Sequence, residues 1–96
     1  MSMKVSYGNG NEVKVMWHHV TKVTDENKKL GTECYIKNLN NELLVKGVAR
    51  LSPKDEFNKN KGRKISLAKA LQSLGLQREN RIAFWKAYFD MLNKDI

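Results

Sequence analysis

The sequence predicts an α+β fold, a four-stranded antiparallel meander followed by two C-terminal helices packed on it. Three observations predict it. Up to about Leu51, apolar and polar residues alternate at the period of a strand, and Gly/Asn-rich clusters interrupt the alternation where tight turns would fall. From Ser52 onward the apolar spacing becomes helical. No repeat, low-complexity tract or linker rich in Gly, Pro or Ser divides the chain, so residues 1–96 are read as a single domain.

The first strand runs from Lys4 to Tyr7, and Gly8-Asn9-Gly10-Asn11 supplies the positive-φ residues of a hairpin turn. From Glu12 to Val23 the odd positions Val13, Val15, Trp17, Thr21 and Val23 are apolar or β-branched, while Lys14, His18 and Lys22 take the other face. Asp25 to Gly31 is a polar turn. Thr32 to Lys37 is a short strand with Cys34 and Ile36 on one side and Glu33, Tyr35 and Lys37 on the other. After a turn at Asn38 to Asn41, the strand from Glu42 to Leu51 places Leu43, Val45, Gly47, Ala49 and Leu51 on one face, with Lys46, Val48 and Arg50 opposite. Short turns between four strands give a sheet with one covered face.

Ser52-Pro53-Lys54-Asp55 reads as a helix start: a capping hydroxyl, a proline where its missing N–H costs nothing, and an acid three residues after the cap. The first helix is expected over about 53–74. Phe57, Leu67, Ala68, Leu71 and Leu74 gather on one side of it, with Lys59, Gly62, Ser66 and Lys69 away from that side. Gly62 either lies inside a continuous helix where another group approaches closely, or divides the segment at a basic loop. Gly75 is the expected stop. The second helix is expected over about 78–93, with Ile82, Trp85, Phe89 and Leu92 at helical spacing and Phe84 and Tyr88 on a neighbouring face, as core or as surplus apolar surface. A chain of 96 residues makes a marginal core, and the surplus aromatic surface is expected to be covered by self-association into a homo-oligomer.

The net charge is +8, and most of it is local: from Lys46 to Arg78 nine basic residues face only Asp55 and Glu56, a balance of +7. Such a segment attracts anions, whether a nucleic acid, a nucleotide, an acidic protein or a lipid headgroup, the alternative being a solvated face that keeps a small protein soluble. A single cysteine, Cys34, excludes an internal disulfide framework and suits a reducing cytoplasm, where it serves as a small buried hydrophobe. No run of about 18 apolar residues exists and the N-terminus lacks the order of a secretory signal, so neither a membrane partner nor export is expected.

For catalysis the chain offers no paired carboxylates, no nucleophile with a base and no multi-glycine phosphate loop, and an enzyme is not expected. His18 and His19 are adjacent in a strand, point to opposite faces and cannot chelate one metal together. Neither a metal site nor a cofactor is expected. An anion site is. If the chain breaks at Gly62, the next helix begins at Lys64 or Ile65 and turns its free N–H groups toward Arg63 and Lys64. Lys61, Arg63, Lys64 and Lys69 are the candidate anion contacts, and Trp85 and Tyr88 the candidate stacking surfaces.

Ser52-Pro53-Lys54-Asp55, Phe57, Gly62-Arg63-Lys64 and Ala68-Lys69-Ala70-Leu71, with Trp85 and Tyr88 beyond, resemble a run in small bacteriophage proteins, in particular the Thoeris anti-defence family of nucleotide sponges. The resemblance spans about Ala49 to Tyr88. It implies a protein acting in the cytoplasm of an infected bacterium that sequesters a cyclic nucleotide immune signal, a cyclic ADP-ribose isomer or cyclic oligonucleotide, without turnover. It also implies multimers with pockets between subunits. Gly62 to Leu74 is similar in texture to the basic helix of double-stranded RNA-binding domains, which implies binding of double-stranded RNA or DNA instead. Those domains carry a helix before the sheet, and none is expected here. An inhibitor of an acidic host protein is the third reading.

Overall fold

A computed structural model describes residues 1–21, 29–50 and 58–94. Six elements follow in order: β1 (Ser2–Tyr7), β2 (Asn11–Thr21), β3 (Lys29–Asn38), β4 (Leu43–Arg50), α1 (Lys59–Leu74) and α2 (Arg78–Lys94). The strands form one antiparallel sheet in the order β1-β2-β3-β4, so the expected α+β arrangement of a meander and two C-terminal helices holds.

The β1–β2 turn uses Gly8 at φ 60° and Gly10 at φ 92°, the left-handed region that glycine enters without a Cβ penalty. At the β3–β4 turn the Asn38 side chain accepts hydrogen bonds from the N–H groups of Asn40 and Glu42, each at 2.9 Å. Register follows from these turns. Val5 lies opposite Val13, Val15 opposite Ile36 and Trp17 opposite Cys34, which places Val5, Val13, Val15, Trp17, Cys34 and Ile36 together in the core. Burial in an apolar interior pushes the Cys34 thiol up to about 12. A thiol reagent at neutral pH is therefore expected to leave the folded protein unlabelled and to modify it as it unfolds in denaturant; rapid labelling of the native protein would place Cys34 at the surface.

The sheet differs from expectation at two places. β3 begins at Lys29 rather than Thr32, so the last three residues of the expected polar turn, Lys29 to Gly31, join the strand, Lys29 pairing with Thr21 and Gly31 with Val20 and Arg50. Val45 pairs with Ile36 but Leu43 pairs with Lys37, so Leu44 is an extra residue in a bulge. The bulge reverses the side-chain alternation, and Leu43 turns to the outer face, 53% exposed.

The helices cover one face of the sheet, α1 over β3 and β4 and α2 over β1. The Ser52–Asp55 cap and Phe57 lie outside the described residues, as do Val23, the Asp25–Lys28 part of the second turn and Leu51. A helix already continuous through residue 58 is not formed: Asn58 is extended (φ −127°, ψ 112°) and caps α1, its side chain accepting from the Lys61 N–H at 3.0 Å. Gly62 does not break the helix. It lies in the first turns of α1, where an added Cβ would meet Thr32 Oγ1 at 2.3 Å, so the close-approach alternative is the one realised. Gly75 ends α1 in the left-handed conformation (φ 72°), its N–H shared between the carbonyls of Leu71 and Gln72 at 3.2 Å, as expected.

The face that α1 buries is rotated from the expected one. Ser66, Leu67, Ala70 and Leu71 are buried, and Ala68 is exposed. Gly62, Ser66 and Ala70 recur every fourth residue, and this small-residue ridge lets the helix backbone approach Thr32 and Gly47 closely. The Ser66 hydroxyl donates back to the Gly62 carbonyl at 2.8 Å, which removes the cost of burying it. In α2 the buried residues are Phe84 and Tyr88. The expected Ile82–Trp85–Phe89–Leu92 stripe is instead the outer one: Ile82 is 54% and Phe89 47% exposed, and Trp85 and Leu92 are half-buried. Tyr7 and Trp17 decide this, their rings lying 5.2 Å from Phe84 and 5.6 Å from Tyr88.

Candidate anion-binding surfaces

The basic start of α1 has no acidic residue in its first turn. Arg63 nevertheless turns inward. Its Nε donates to the Tyr88 hydroxyl at 3.4 Å, Tyr88 donates to Asn60 Oδ1, and Trp17 Nε1–H donates to the Arg63 carbonyl at 3.2 Å. Beside this network His19 Nδ1 lies 2.9 Å from Thr32 Oγ1, so the polar groups beneath the helix start are tied to one another. Lys64 holds its ammonium 5.6 Å above the Phe89 ring. Lys61 and Lys69 are exposed, and at about 100° of rotation per residue they project from the side of α1 away from Arg63.

Of the six expected site residues, the fold thus brings Arg63 and Tyr88 together, but inside a structural network. Tyr88 offers no face for stacking, because its ring is fully buried against Trp17, Trp85 and Phe89. Trp85 is half-buried beside the Lys64–Phe89 pair. The N-terminus of α1, at Asn58 and Lys59, lies more than a turn before the start at Lys64 or Ile65 expected from a break at Gly62.

The outer face of the sheet carries a second basic surface. Strand alternation sends Lys4, Lys14 and Lys37 outward, and register sets them directly side by side, Lys4 opposite Lys14 and Lys14 opposite Lys37. One pleat further along lies the row Met16–Tyr35–Lys46, and beyond it His18–Glu33–Val48. Met16 is 39% exposed. Tyr35 is held in place: its hydroxyl donates to Glu33 Oε2 at 2.6 Å, and the Lys46 ammonium, 2.7 Å from that same oxygen, lies 5.7 Å from the ring centroid. The Lys46 contact, then the Tyr35 hydrogen bond, hold the Glu33 carboxyl below the usual carboxylate range and raise Lys46 and Tyr35 in turn. Glu33 is thereby spoken for, and with Arg50 at the far end of β4 five cations on this face stand, among the described residues, against Glu12 and Glu33.

Sequence reasoning missed this row. Lys14 and Lys37 each stood at an outward position by alternation, and the same parity, Lys4 between Met3 and Val5, was the signal available for the third; only the register of three strands makes them neighbours. Among the described residues no group of three or more His, Cys, Asp and Glu side chains is placed to hold a metal ion, and no helix is long and apolar enough to cross a membrane. Comparison with known protein families, curated proteins and solved structures finds no match to this chain.

Proposed function

We propose that the protein is a non-enzymatic binder of nucleic acid in the cytoplasm, working through the outer face of its sheet. The observation that carries this reading is the Lys4–Lys14–Lys37 row. Like charges directly opposite in a sheet, with Cβ atoms about 4.5–5.5 Å apart, repel and weaken the pairing. Phosphates laid along the row turn that repulsion into attraction and release counterions. Replacing all three lysines by glutamine is expected to leave the fold intact or slightly more stable. Anisotropy titrations between about 50 and 200 mM salt should then show weaker binding and a log–log salt slope lower by roughly two to three, at about 0.7–0.9 per lost phosphate contact. Unchanged affinity and slope would move the site off this face.

Sequestration of a cyclic nucleotide is the second reading, supported by the Lys64 cation over Phe89 beside half-buried Trp85. Unlabelled cyclic nucleotides added as competitors, followed by mass spectrometry of small molecules released on heating, test it; free ligand undiminished by excess protein removes it. Self-association belongs to either reading. The exposed Ile82 and Phe89 on α2 are bordered by Lys86 and Asp90, opposite charges that a second copy can pair.

A further inference from the structure

The two parallel rows on the outer face differ in chemistry, and the difference bears on the form of nucleic acid. Resting on the reading above, we infer that the ligand is a single strand lying across the β-strands, its phosphates along Lys4, Lys14 and Lys37 and its bases over Met16 and Tyr35. Adjacent strands are about 4.8 Å apart, so the three lysines mark out about 10 Å of path perpendicular to the strands. The Met16–Tyr35 row is two residues further along each strand, about 7 Å to one side. That offset is what an unpaired strand requires, charge on one edge and flat or polarisable surface on the other.

A duplex would use only half of this surface. It turns phosphates and sugars outward and keeps its bases stacked, which leaves an exposed thioether and an aromatic ring against polar backbone. Tyr35 is suited to a base because its orientation is fixed before binding: the hydroxyl is anchored on Glu33, and Lys46 bridges the same carboxylate and the ring. Glu33 is thereby neutralised locally, so the carboxylate nearest the platform does not repel the approaching phosphates.

The test compares a fluorescent single-stranded oligonucleotide with the duplex of the same sequence at one salt concentration, for the parent protein and for Tyr35→Ala, Tyr35→Phe and Met16→Ala. The single strand should bind more tightly. Tyr35→Ala should weaken it roughly 5- to 100-fold, the range one base–aromatic stack supplies, and leave duplex binding unchanged. Tyr35→Phe keeps the ring and loses only the Glu33 anchor, so its loss should be smaller than that of Tyr35→Ala, as should that of Met16→Ala. Circular dichroism is expected to show all three variants folded, since both side chains point away from the core; if Tyr35→Ala fails to fold, Met16→Ala and the parent's strand preference decide. A tighter duplex, or equal losses on both ligands, overturns the single-strand inference while sparing the nucleic-acid reading. Binding to neither ligand, or to poly-glutamate alone, overturns both.

Discussion

Replacing Gly47 with alanine is expected to lower the midpoint of thermal unfolding by roughly 12–24 °C, from a loss of about 3 kcal/mol at the upper end of overpacking costs. The added Cβ would lie 2.1 Å from the Ser66 carbonyl oxygen and 2.5 Å from the Ala70 nitrogen. Those atoms are acceptor and donor four residues apart in α1, so the methyl group meets helix backbone that no side-chain rotation can clear. The helix must lift from β4, and lifting it exposes Leu67, Ala70 and Leu71, all buried in the native packing. Gly62→Ala is the informative contrast. Its Cβ would meet the Thr32 side chain at 2.3 Å, an atom that can rotate away at the expense of its contact with His19. Alanine also gains up to about 1 kcal/mol of helix propensity, so this substitution should cost less than Gly47→Ala. Denaturant unfolding of the two variants measures the order; a Gly47→Ala protein as stable as the parent would mean that α1 does not sit on β4 this closely.

Phe84→Ala is expected to cost about 3–5 kcal/mol, a large share of the roughly 5–15 kcal/mol total stability of a domain, and so to shift denaturant unfolding to markedly lower concentration. The ring is fully buried and packs on Tyr7. Ile82→Ala, two residues away on the outer stripe, should change stability by no more than about 0.5 kcal/mol. Its effect belongs to association: sedimentation should report a smaller assembly for Ile82→Ala than for the parent. The reverse pattern, a silent Phe84→Ala and an unfolding Ile82→Ala, would put the Ile82–Phe89 stripe in the core and contradict the orientation of α2. A parent that is monomeric at every concentration would remove self-association from the functional reading.

These pairs also show where the sequence stopped being informative. The strands were legible because alternation is a local signal: Val13, Val15 and Trp17 face one way whatever lies above them. The turn at Gly8 and Gly10 and the stop at Gly75 were legible because only certain residues enter the left-handed region cheaply. The helix start was less so. Ser52-Pro53 carries every cap signal, yet Asn58, with no proline or acid after it, is the residue whose side chain caps α1. The face of α1 was misjudged for a physical reason: hydrophobicity ranks Ala68 above Ser66, whereas the four-residue spacing of Gly62, Ser66 and Ala70 is what forms the small-residue ridge against Thr32 and Gly47, and Ala68 lies off that ridge.

The candidate site divides the same way. Arg63 and Tyr88 were each plausible from residue type, and their contact was not foreseeable, because it depends on a fold that brings the Tyr88 hydroxyl of α2 to Asn60 and Arg63 at the start of α1. What the sequence by itself determined is the α+β order of elements, the positive charge and the outward parity of Lys14 and Lys37. Only the tertiary structure decided that Lys4, Lys14 and Lys37 stand in one row, that α2 buries Phe84 and Tyr88 rather than Ile82 and Phe89, and that Gly62 continues the helix. Periodicity states which side chains share a face, but which face is buried and which strands lie abreast depend on contacts between residues far apart in the chain.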